Sequence, residues 1–210
     1  QGGDLWHQYM AQQGYIIMSV DNRGTRVPRG SAFRKSIYGQ IGILASSDQS
    51  KAAQEICSMF SFVDPERLGI WGWSGGGQMT LNCMFRYPDV YKSGLALAFV
   101  SDQRLYDNIY QERYMGLLDE NEAGYRDGSP INFAKDLKGD LMIIHGTADD
   151  NVHYQSFEML VDELVKHNKL FYMMSYPMRS HGINERENTS FHLRQIMENF
   201  WKTNLLPGPK

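Results

Sequence analysis

The chain has 210 residues, which is the usual size of one domain. Hydrophobic residues make up 42%, aromatic residues 12% and charged residues 21%, a composition typical of a globular fold and unlike that of a disordered or collagen-like chain. The formal net charge of −3 leaves no basic excess to neutralise phosphates, so we expect no nucleic-acid partner.

Two further classes of feature are missing from the sequence. The longest uninterrupted apolar run, about Gly94 to Val100, is far shorter than the ~20 residues that cross a bilayer. The cysteines, Cys57 and Cys83, form no CxxC or Cys/His pattern, so we expect two buried thiols.

Because the chain starts at Gln1 without an initiator Met or a signal core, we expect this start to come from processing, cloning or cutting of a longer chain.

Apolar runs of strand length alternate with segments of helical periodicity. In chain order, the predicted strands are Tyr15 to Val20, Leu68 to Trp71, Gly94 to Phe99, Leu141 to His145 and Phe171 to Tyr176. Helical apolar patterns occur at 52–60, 79–87, 157–165 and 193–201. We interpret each strand as buried on both faces, and the alternation predicts an α/β fold with a mostly parallel sheet and helices on both faces.

The ends of the predicted helices carry typical signals. One of Ser46, Ser47 and Asp48 is expected to cap the first of these helices. Pro88 follows the second and Asn168 follows the third, as residues that end helices often do.

One stretch, Asp102 to Ala134, interrupts the alternation and is rich in Tyr and acidic residues. It predicts an inserted helix and loop at the carboxyl edge of the sheet, where open α/β sheets bind ligands. Tyr106 and Tyr110 are four residues apart, so on a helix they would share a face. Ordinary packing also explains such a pair, and its placement near the ligand edge favours a binding role.

The sequence Gly72-Trp73-Ser74-Gly75-Gly76 lies between a predicted strand and a predicted helix. It matches the G-x-S-x-G motif, in which the serine sits on a strained turn between strand and helix. The pattern alone is weak, but this placement is the context the motif requires. We therefore predict that Ser74 is a nucleophile and that the Gly75 N–H faces a developing oxyanion.

A serine hydroxyl needs a base to take its proton, and the base needs an acid to hold its tautomer. In this motif's fold the chain order is Ser, then Asp or Glu, then His. Asp149 follows the strand that ends at His145, and His181 follows the strand that ends at Tyr176. Both therefore lie at the sheet edge that Ser74 occupies.

Other residues compete for these roles. Asp150 adjoins Asp149, and the pattern does not separate the two. His167 and His192 fall within or at the end of helices, and His153 is expected at the mouth of the pocket. No His pair has metal-ligand spacing near acidic residues, so we predict no metal site.

Three stretches carry a family resemblance. They are Gly-Trp-Ser-Gly-Gly-Gly at 72–77, Tyr-Gln-Glu-Arg-Tyr-Met-Gly-Leu at 110–117 and His-Gly-Thr-Ala-Asp-Asp-Asn-Val-His at 145–153. They resemble the peptidase domain of the prolyl oligopeptidase family, in particular its dipeptidyl peptidase IV branch in a bacterial form. The similarity extends over nearly the whole chain, and it implies an α/β-hydrolase fold. It also implies Ser74 as nucleophile, Asp149 rather than Asp150 as orienting acid, and His181 as general base.

The resemblance also implies a small apolar pocket for a proline or alanine side chain. Its walls would be Tyr106, Tyr110, Val100 and Val152, with Trp73 beside them. Asn151 resembles the residue that binds a substrate backbone carbonyl, although an N-cap of the following helix explains it equally well. Gly75 departs from the tyrosine of the mammalian enzymes and removes one wall of this pocket.

By the same resemblance, residues 1–210 form the carboxyl-terminal part of the peptidase domain, with Leu5 to Gln13 as their first helix. A propeller domain, the first hydrolase strands, the tyrosine that supplies a second oxyanion donor and the glutamates that bind the substrate amine would precede Gln1. One of those strands would normally lie between Tyr15 to Val20 and Leu68 to Trp71, so its absence would leave sheet edges unpaired. We expect weak turnover by this chain alone, because one oxyanion donor is worth about 3–4 kcal/mol.

The function implied is a serine exopeptidase that releases dipeptides after a penultimate Pro or Ala, with no cofactor. Peptides are the expected partners, a homodimer is compatible with the resemblance, and a periplasmic or secreted location is favoured for the parent protein. The alternatives are a carboxylesterase or acyl hydrolase of the same fold, and a noncatalytic binding or assembly fragment.

Overall fold

A four-stranded parallel sheet forms the centre of the molecule. The computed structural model describes residues 4–26 and 28–208. The strands are β1 (Gly69–Trp73), β2 (Ser93–Leu97), β3 (Asp140–Gly146) and β4 (Tyr172–Tyr176), and they lie in the order β1-β2-β3-β4. All three strand pairs are parallel. Their carboxyl ends therefore lie along one edge of the sheet.

Eight α-helices accompany the sheet in the described part of the chain. They are α1 (Leu5–Gln12), α2 (Gly30–Lys35), α3 (Leu44–Met59), α4 (Gly75–Arg86), α5 (Asn108–Met115), α6 (Glu122–Gly128), α7 (Gln155–Lys166) and α8 (Thr189–Asn204). The inserted stretch after β2 contains α5 and α6, together with 3₁₀ turns at Gln103–Leu105, Leu118–Glu120 and Pro130–Asp136. The insertion therefore contains more helix than the single helix and loop that the sequence predicts.

The two faces of the sheet carry separate cores. On one face, α3, α4 and α7 pack against Ala96, Leu141 and Ile143. On the other face, α1 and α8 pack against Leu95, Leu97, Met142 and Ile144. This alternation follows from the two-residue period of a strand, and it confirms the predicted sheet with helices on both faces.

The prediction that every strand is buried on both faces is wrong for the outer two. The central strand β2 is buried along its whole length, and β3 is buried except at Asp140, whereas β1 and β4 are mostly exposed or half-buried. The edge strands have a neighbour on one side only among the described residues, so their side chains retain access to solvent.

The predicted strand Tyr15 to Val20 is also wrong, since no strand is assigned there. Ile16, Ile17 and Met18 are 66%, 38% and 44% exposed. An apolar run becomes a strand only when another strand supplies its ladder hydrogen bonds. No strand of the described residues lies beside this segment, and none pairs with the outer edge of β1.

Two local expectations also need correction. Helix α3 begins at Leu44, so Ser46, Ser47 and Asp48 lie inside it and do not cap it. Asp48 instead binds the guanidinium of Arg23 through both carboxylate oxygens, which ties the segment before α2 to α3. Of the two thiols, Cys83 is buried as predicted but Cys57 is only half-buried.

We predict that the face under α7 carries much of the stability. Leu160 of α7 is fully buried, and Val165 of the same helix is 62% exposed. Leu160→Ala should lower the free energy of unfolding by about 2–5 kcal/mol because it leaves a cavity. The matched control Val165→Ala should change it by less than about 0.5 kcal/mol. Urea unfolding measures both, and equal effects would contradict this packing.

Candidate active site

Ser74 occupies a sharp turn between β1 and α4. Its backbone has φ 58° and ψ −120°, a conformation that is strained for a residue with a side chain. The Ser74 N–H donates to the carbonyl of Leu97 at 2.9 Å, and its carbonyl accepts from the N–H of Gln78 at 3.0 Å. The turn is therefore fixed between the end of β2 and the first turn of α4.

Glycines allow this turn to close. A Cβ on Gly72 would lie 2.3 Å from the carbonyl carbon and oxygen of Gly76, and one on Gly77 would lie 2.7 Å from the carbonyl oxygen of Leu97. A Cβ on Gly75 would meet nothing within 4 Å. Packing thus requires glycine at 72 and 77, while the space beside the nucleophile at 75 is open.

Gly75 is the first residue of α4, so its N–H has no partner within the helix. The positive end of the helix dipole adds to this free donor. The position suits an oxyanion donor adjacent to Ser74, as the sequence predicts.

Asp149 and His181 form a direct pair. His181 Nδ1 lies 2.7 Å from Asp149 Oδ2, and Asp149 Oδ1 accepts the N–H groups of Asn151 at 3.0 Å and Val152 at 2.9 Å. The Asp149 side chain is 0% exposed and that of His181 is 23% exposed. Asp150, the competing carboxylate, is exposed. The geometry thus assigns the buried, histidine-paired position to Asp149.

The environment of Asp149 strongly favours its charged form. Burial by itself would raise the pKa of this carboxyl, but the contacts with His145 and His181 and the N–H of Val152 outweigh burial. The pKa is therefore held far below its ordinary value. In the folded protein, Asp149 is therefore a carboxylate at neutral pH.

Ser74 and His181 lie at the same rim, but their side chains are not hydrogen-bonded to one another in the described structure. The connection runs through the neighbouring residue, since Trp73 Nε1 donates to the backbone carbonyl of His181 at 2.9 Å. This bond ties the end of β1 to the loop that follows β4.

The loop that carries His181 is held by a carboxylate of its own. Glu185 accepts from the N–H and the hydroxyl of Ser180 and from the N–H of Asn184. Ile183 and Arg186 have positive φ angles of 43° and 66°. Such strained residues persist only where the surrounding contacts determine the conformation, so the position of His181 is specified locally.

The predicted pocket residues meet in part. The Tyr106 hydroxyl donates to Asn151 Oδ1 at 2.9 Å, and the Tyr106 and Tyr110 rings pack edge to face with centroids 5.4 Å apart. Val100 and Val152 are 4% and 1% exposed. The two tyrosines do not share a helix, because α5 begins after Tyr106, and they meet through the turn that precedes it.

The alternative role of Asn151 as a helix cap is wrong. Helix α7 begins four residues later, at Gln155, and Tyr154 occupies the cap position. Asn151 is instead exposed on the loop that Asp149 organises.

One residue of this site, His145, was missed by sequence reasoning. It continues the row of Leu141 and Ile143 on β3, which faces the core under α4 and α7. Its side chain is 0% exposed and its Nε2 lies 3.2 Å from Asp149 Oδ2. A polar residue at a buried position of a strand needs a hydrogen-bond partner, and that is the signal that would have identified it.

Other features lie outside this edge or are not found. A cavity of about 550 Å³ lined by Arg86, Phe133 and Lys169 lies at the opposite end of α4. Within residues 4–26 and 28–208, no three His, Cys, Asp or Glu side chains come together as a metal site. No described helix is long and apolar enough to span a bilayer.

A parallel α/β sheet with a strained serine at a strand-to-helix turn and a buried Asp-His pair at the same edge defines an α/β-hydrolase. The prolyl oligopeptidase family profile matches residues 4–207. The chain therefore belongs to the prolyl oligopeptidase family.

Individual relatives support this assignment. The chain is 36% identical to prolyl endopeptidase FAP of Mus musculus over 201 residues, which cover 94% of this chain and 26% of that protein. It is 34% identical to venom dipeptidyl peptidase 4 of Vespa velutina, with 93% and 25% covered. The crystal structure of Porphyromonas gingivalis dipeptidyl peptidase 4 superposes with a TM-score of 0.92 at 42% identity, covering 95% of this chain and 28% of that one. The chain thus spans about a quarter of the length of these relatives.

We predict that the tight approach at Gly72 is essential for the serine turn. Gly72→Ala should lower the free energy of unfolding by about 1–3 kcal/mol, because the new methyl group collides with backbone atoms. Gly76→Ala is the matched control, since a Cβ there meets nothing within 4 Å. It should be neutral or slightly stabilising, as alanine favours a helix. Thermal and urea unfolding distinguish the two, and an equally stable Gly72→Ala would contradict the turn geometry.

We predict that Asp149 contributes to acid sensitivity. Its pKa is lowered in the folded state, so its stabilising contribution is complete above the unfolded pKa of about 3.9 and is lost as pH falls below it. Between about pH 5 and pH 2, the wild type should therefore lose more stability than Asp149→Asn. Urea unfolding at several pH values measures this difference. Parallel curves for the two proteins would show that Asp149 is not linked to folding.

Proposed function

We propose that this chain carries the catalytic groups of a serine exopeptidase that releases N-terminal dipeptides after a penultimate Pro or Ala. The observation that carries the proposal is the buried Asp149–His181 pair, 2.7 Å apart, at the edge where Ser74 occupies its strained turn. The names of the relatives, prolyl endopeptidase and dipeptidyl peptidase 4, support the same chemistry.

In this mechanism His181 acts first as a base. Because a carboxylate only accepts hydrogen bonds, His181 Nδ1 carries the hydrogen that faces Asp149, and Nε2 is left with a free lone pair. Nε2 takes the Ser74 hydroxyl proton as Oγ attacks the peptide carbonyl, and the Gly75 N–H faces the resulting oxyanion. The imidazolium then returns the proton to the leaving amine, and water hydrolyses the acyl-enzyme by the same steps.

The residues around the pair suit a short peptide with a compact second side chain. The faces of Tyr106 and Tyr110 provide flat apolar surface for a pyrrolidine ring. The oxygen of the Asn151 amide already accepts from Tyr106, which leaves its NH₂ group to donate to a substrate carbonyl. We propose Val100 and Val152, which are buried, as further walls of this slot, with the Trp73 ring beside them. The Trp73 N–H donates to the His181 carbonyl and so is not available to substrate.

The chain's share of the whole reaction also belongs to this proposal. The relatives are about four times as long, and the family resemblance assigns the second oxyanion donor and the amine-binding glutamates to parts that these residues do not match. Residues 1–210 would then supply the nucleophile, the base, the acid and part of the pocket. Turnover by this chain alone is accordingly expected to be slow.

Labelling with a fluorophosphonate tests the nucleophile directly, because it needs only an activated serine. We predict one adduct on the wild type by intact mass, none on Ser74→Ala, and full labelling of Ser58→Ala, which replaces an exposed serine on α3. Asp149→Asn should label about 10³- to 10⁴-fold more slowly, because His181 loses the tautomer that accepts a proton.

Absence of labelling in a folded wild-type chain would favour a noncatalytic binding or assembly fragment. If labelling occurs, rates on a Gly-Pro anilide and on a short acyl ester decide between the two hydrolase classes. The exopeptidase proposal requires the anilide to be preferred and N-acetylation of the anilide to abolish its cleavage in the parent protein. Preference for the ester would favour a carboxylesterase.

A further inference from the structure

The Asp149 carboxylate lies between two imidazoles, those of His181 and His145. The mechanism proposed above uses only His181. Oδ2 is 2.7 Å from His181 Nδ1 and 3.2 Å from His145 Nε2. The second imidazole is the more deeply placed, with a side chain 0% exposed against 23% for His181. His145 is therefore close to the same oxygen, Oδ2, that contacts His181, the proposed base.

The hydrogen-bond partner of His145 determines its tautomer. His145 Nε2 lies 2.9 Å from the carbonyl oxygen of Val152, and a carbonyl oxygen only accepts. Nε2 therefore carries the hydrogen, which it donates to the Val152 carbonyl, and the same nitrogen lies 3.2 Å from Asp149 Oδ2. Val152 in turn donates its own N–H to Asp149 Oδ1 at 2.9 Å. His145, Val152 and Asp149 thus form a closed ring of contacts.

Aromatic packing holds the His145 ring in this orientation. Phe99, Tyr154 and Phe157 meet it edge to face, with centroids 5.5, 5.8 and 5.9 Å away. Nδ1 is buried and has no hydrogen-bond partner among the described residues. The ring therefore has one hydrogen-bond donor in use, the Nε2–H, and its orientation is fixed by the surrounding aromatic side chains.

We infer that His145 is a positioning residue that holds the Val152 segment around Asp149 and withdraws negative charge from Oδ2, so that His181 releases its proton at a lower pH. The inference rests on the proposed function, in which His181 is the base. The physical reason is competition: the positively polarised N–H of His145, whose nitrogen lies 3.2 Å from Oδ2, weakens the attraction of that oxygen for the His181 imidazolium. Without His145, Asp149 would hold His181 protonated to a higher pH.

Other titratable and charged groups near this pair are accounted for. Burial, followed by the negative charges of Asp107 and Asp149, raises the pKa of Tyr106, so its hydroxyl stays neutral in the relevant range. The Tyr154 hydroxyl is bonded to Ser175. On the His181 loop, Glu185 is engaged by Ser180, and the Arg179 guanidinium by Thr189 and the Pro177 carbonyl. His153 and Asp150 are exposed on the loop after Asp149.

Two substitutions of His145 distinguish an electrostatic effect on Asp149 from a purely structural role. His145→Phe keeps a flat ring in the aromatic cage and removes the donor. His145→Gln places an amide N–H near the position of Nε2 and restores it. The pH dependence of fluorophosphonate labelling reports the pH at which His181 becomes a base, and NMR of the ring nitrogens reports the tautomer of His145 and the titration of His181 without any need for activity.

We expect the acid limb of the labelling profile to move up by about 0.5–1 pH unit in His145→Phe, the equivalent of part of one charge-assisted hydrogen bond. His145→Gln should recover at least half of this shift. In the wild type, the NMR spectrum should show the hydrogen of His145 on Nε2. The His181 ring signals should titrate at higher pH in His145→Phe by the same amount.

The inference is overturned if His145 carries its hydrogen on Nδ1. It is also overturned if both variants slow labelling but their acid limbs coincide with that of the wild type, because that result indicates a purely structural role. If His145→Phe does not fold, His145→Asn replaces it, because its shorter amide does not reach the Nε2 position. Failure of the proposed function gives a different result: the wild type is not labelled at any pH, while the tautomer of His145 and the His181 titration remain measurable by NMR.

Discussion

The arrangement of this site depends on one buried carboxylate. Asp149 exchanges the hydration of its charge for the N–H groups of Asn151 and Val152 and for contacts with His181 and His145. A carboxylate removed from water is costly unless its lone pairs are satisfied. The loop after β3 therefore folds around Asp149, and this loop in turn presents Asn151 to Tyr106 and Val152 to His145.

The parallel sheet determines where this carboxylate lies relative to Ser74 and His181. Since all four strands run the same way, β1, β3 and β4 deliver Ser74, Asp149 and His181 to one edge. The hydrogen bond from Trp73 to the His181 carbonyl and the contacts of Glu185 then set the spacing between loops from separate strands. Strain at Ser74 is tolerated because Leu97 and Gln78 hold its backbone on both sides.

Several parts of this arrangement could be predicted from the sequence because their signals are local. The strand-to-helix turn at Ser74, the helix periodicities and the carboxyl-edge positions of Asp149 and His181 all follow from patterns within a few residues. Tyr15 to Val20 failed for the opposite reason, since its apolar run needs a neighbouring strand that a local pattern does not reveal. Burial of β1 and β4 was overestimated because edge and central strands differ in their neighbours and not in their own residues.

The sequence by itself determined the class of fold, the candidate nucleophile and the order of acid and base, since hydrophobic period and glycine spacing act along the chain. The chain pattern did not separate Asp149 from Asp150, although the family resemblance implied Asp149, and the tertiary structure pairs Asp149 with His181. Only the tertiary structure removed Asn151 from the helix cap and placed His145 against the carboxylate. The reason is that hydrogen bonding and desolvation depend on which groups meet in space. Residues 145, 149 and 181 acquire their electrostatic roles from one another, and no interval of sequence contains that information.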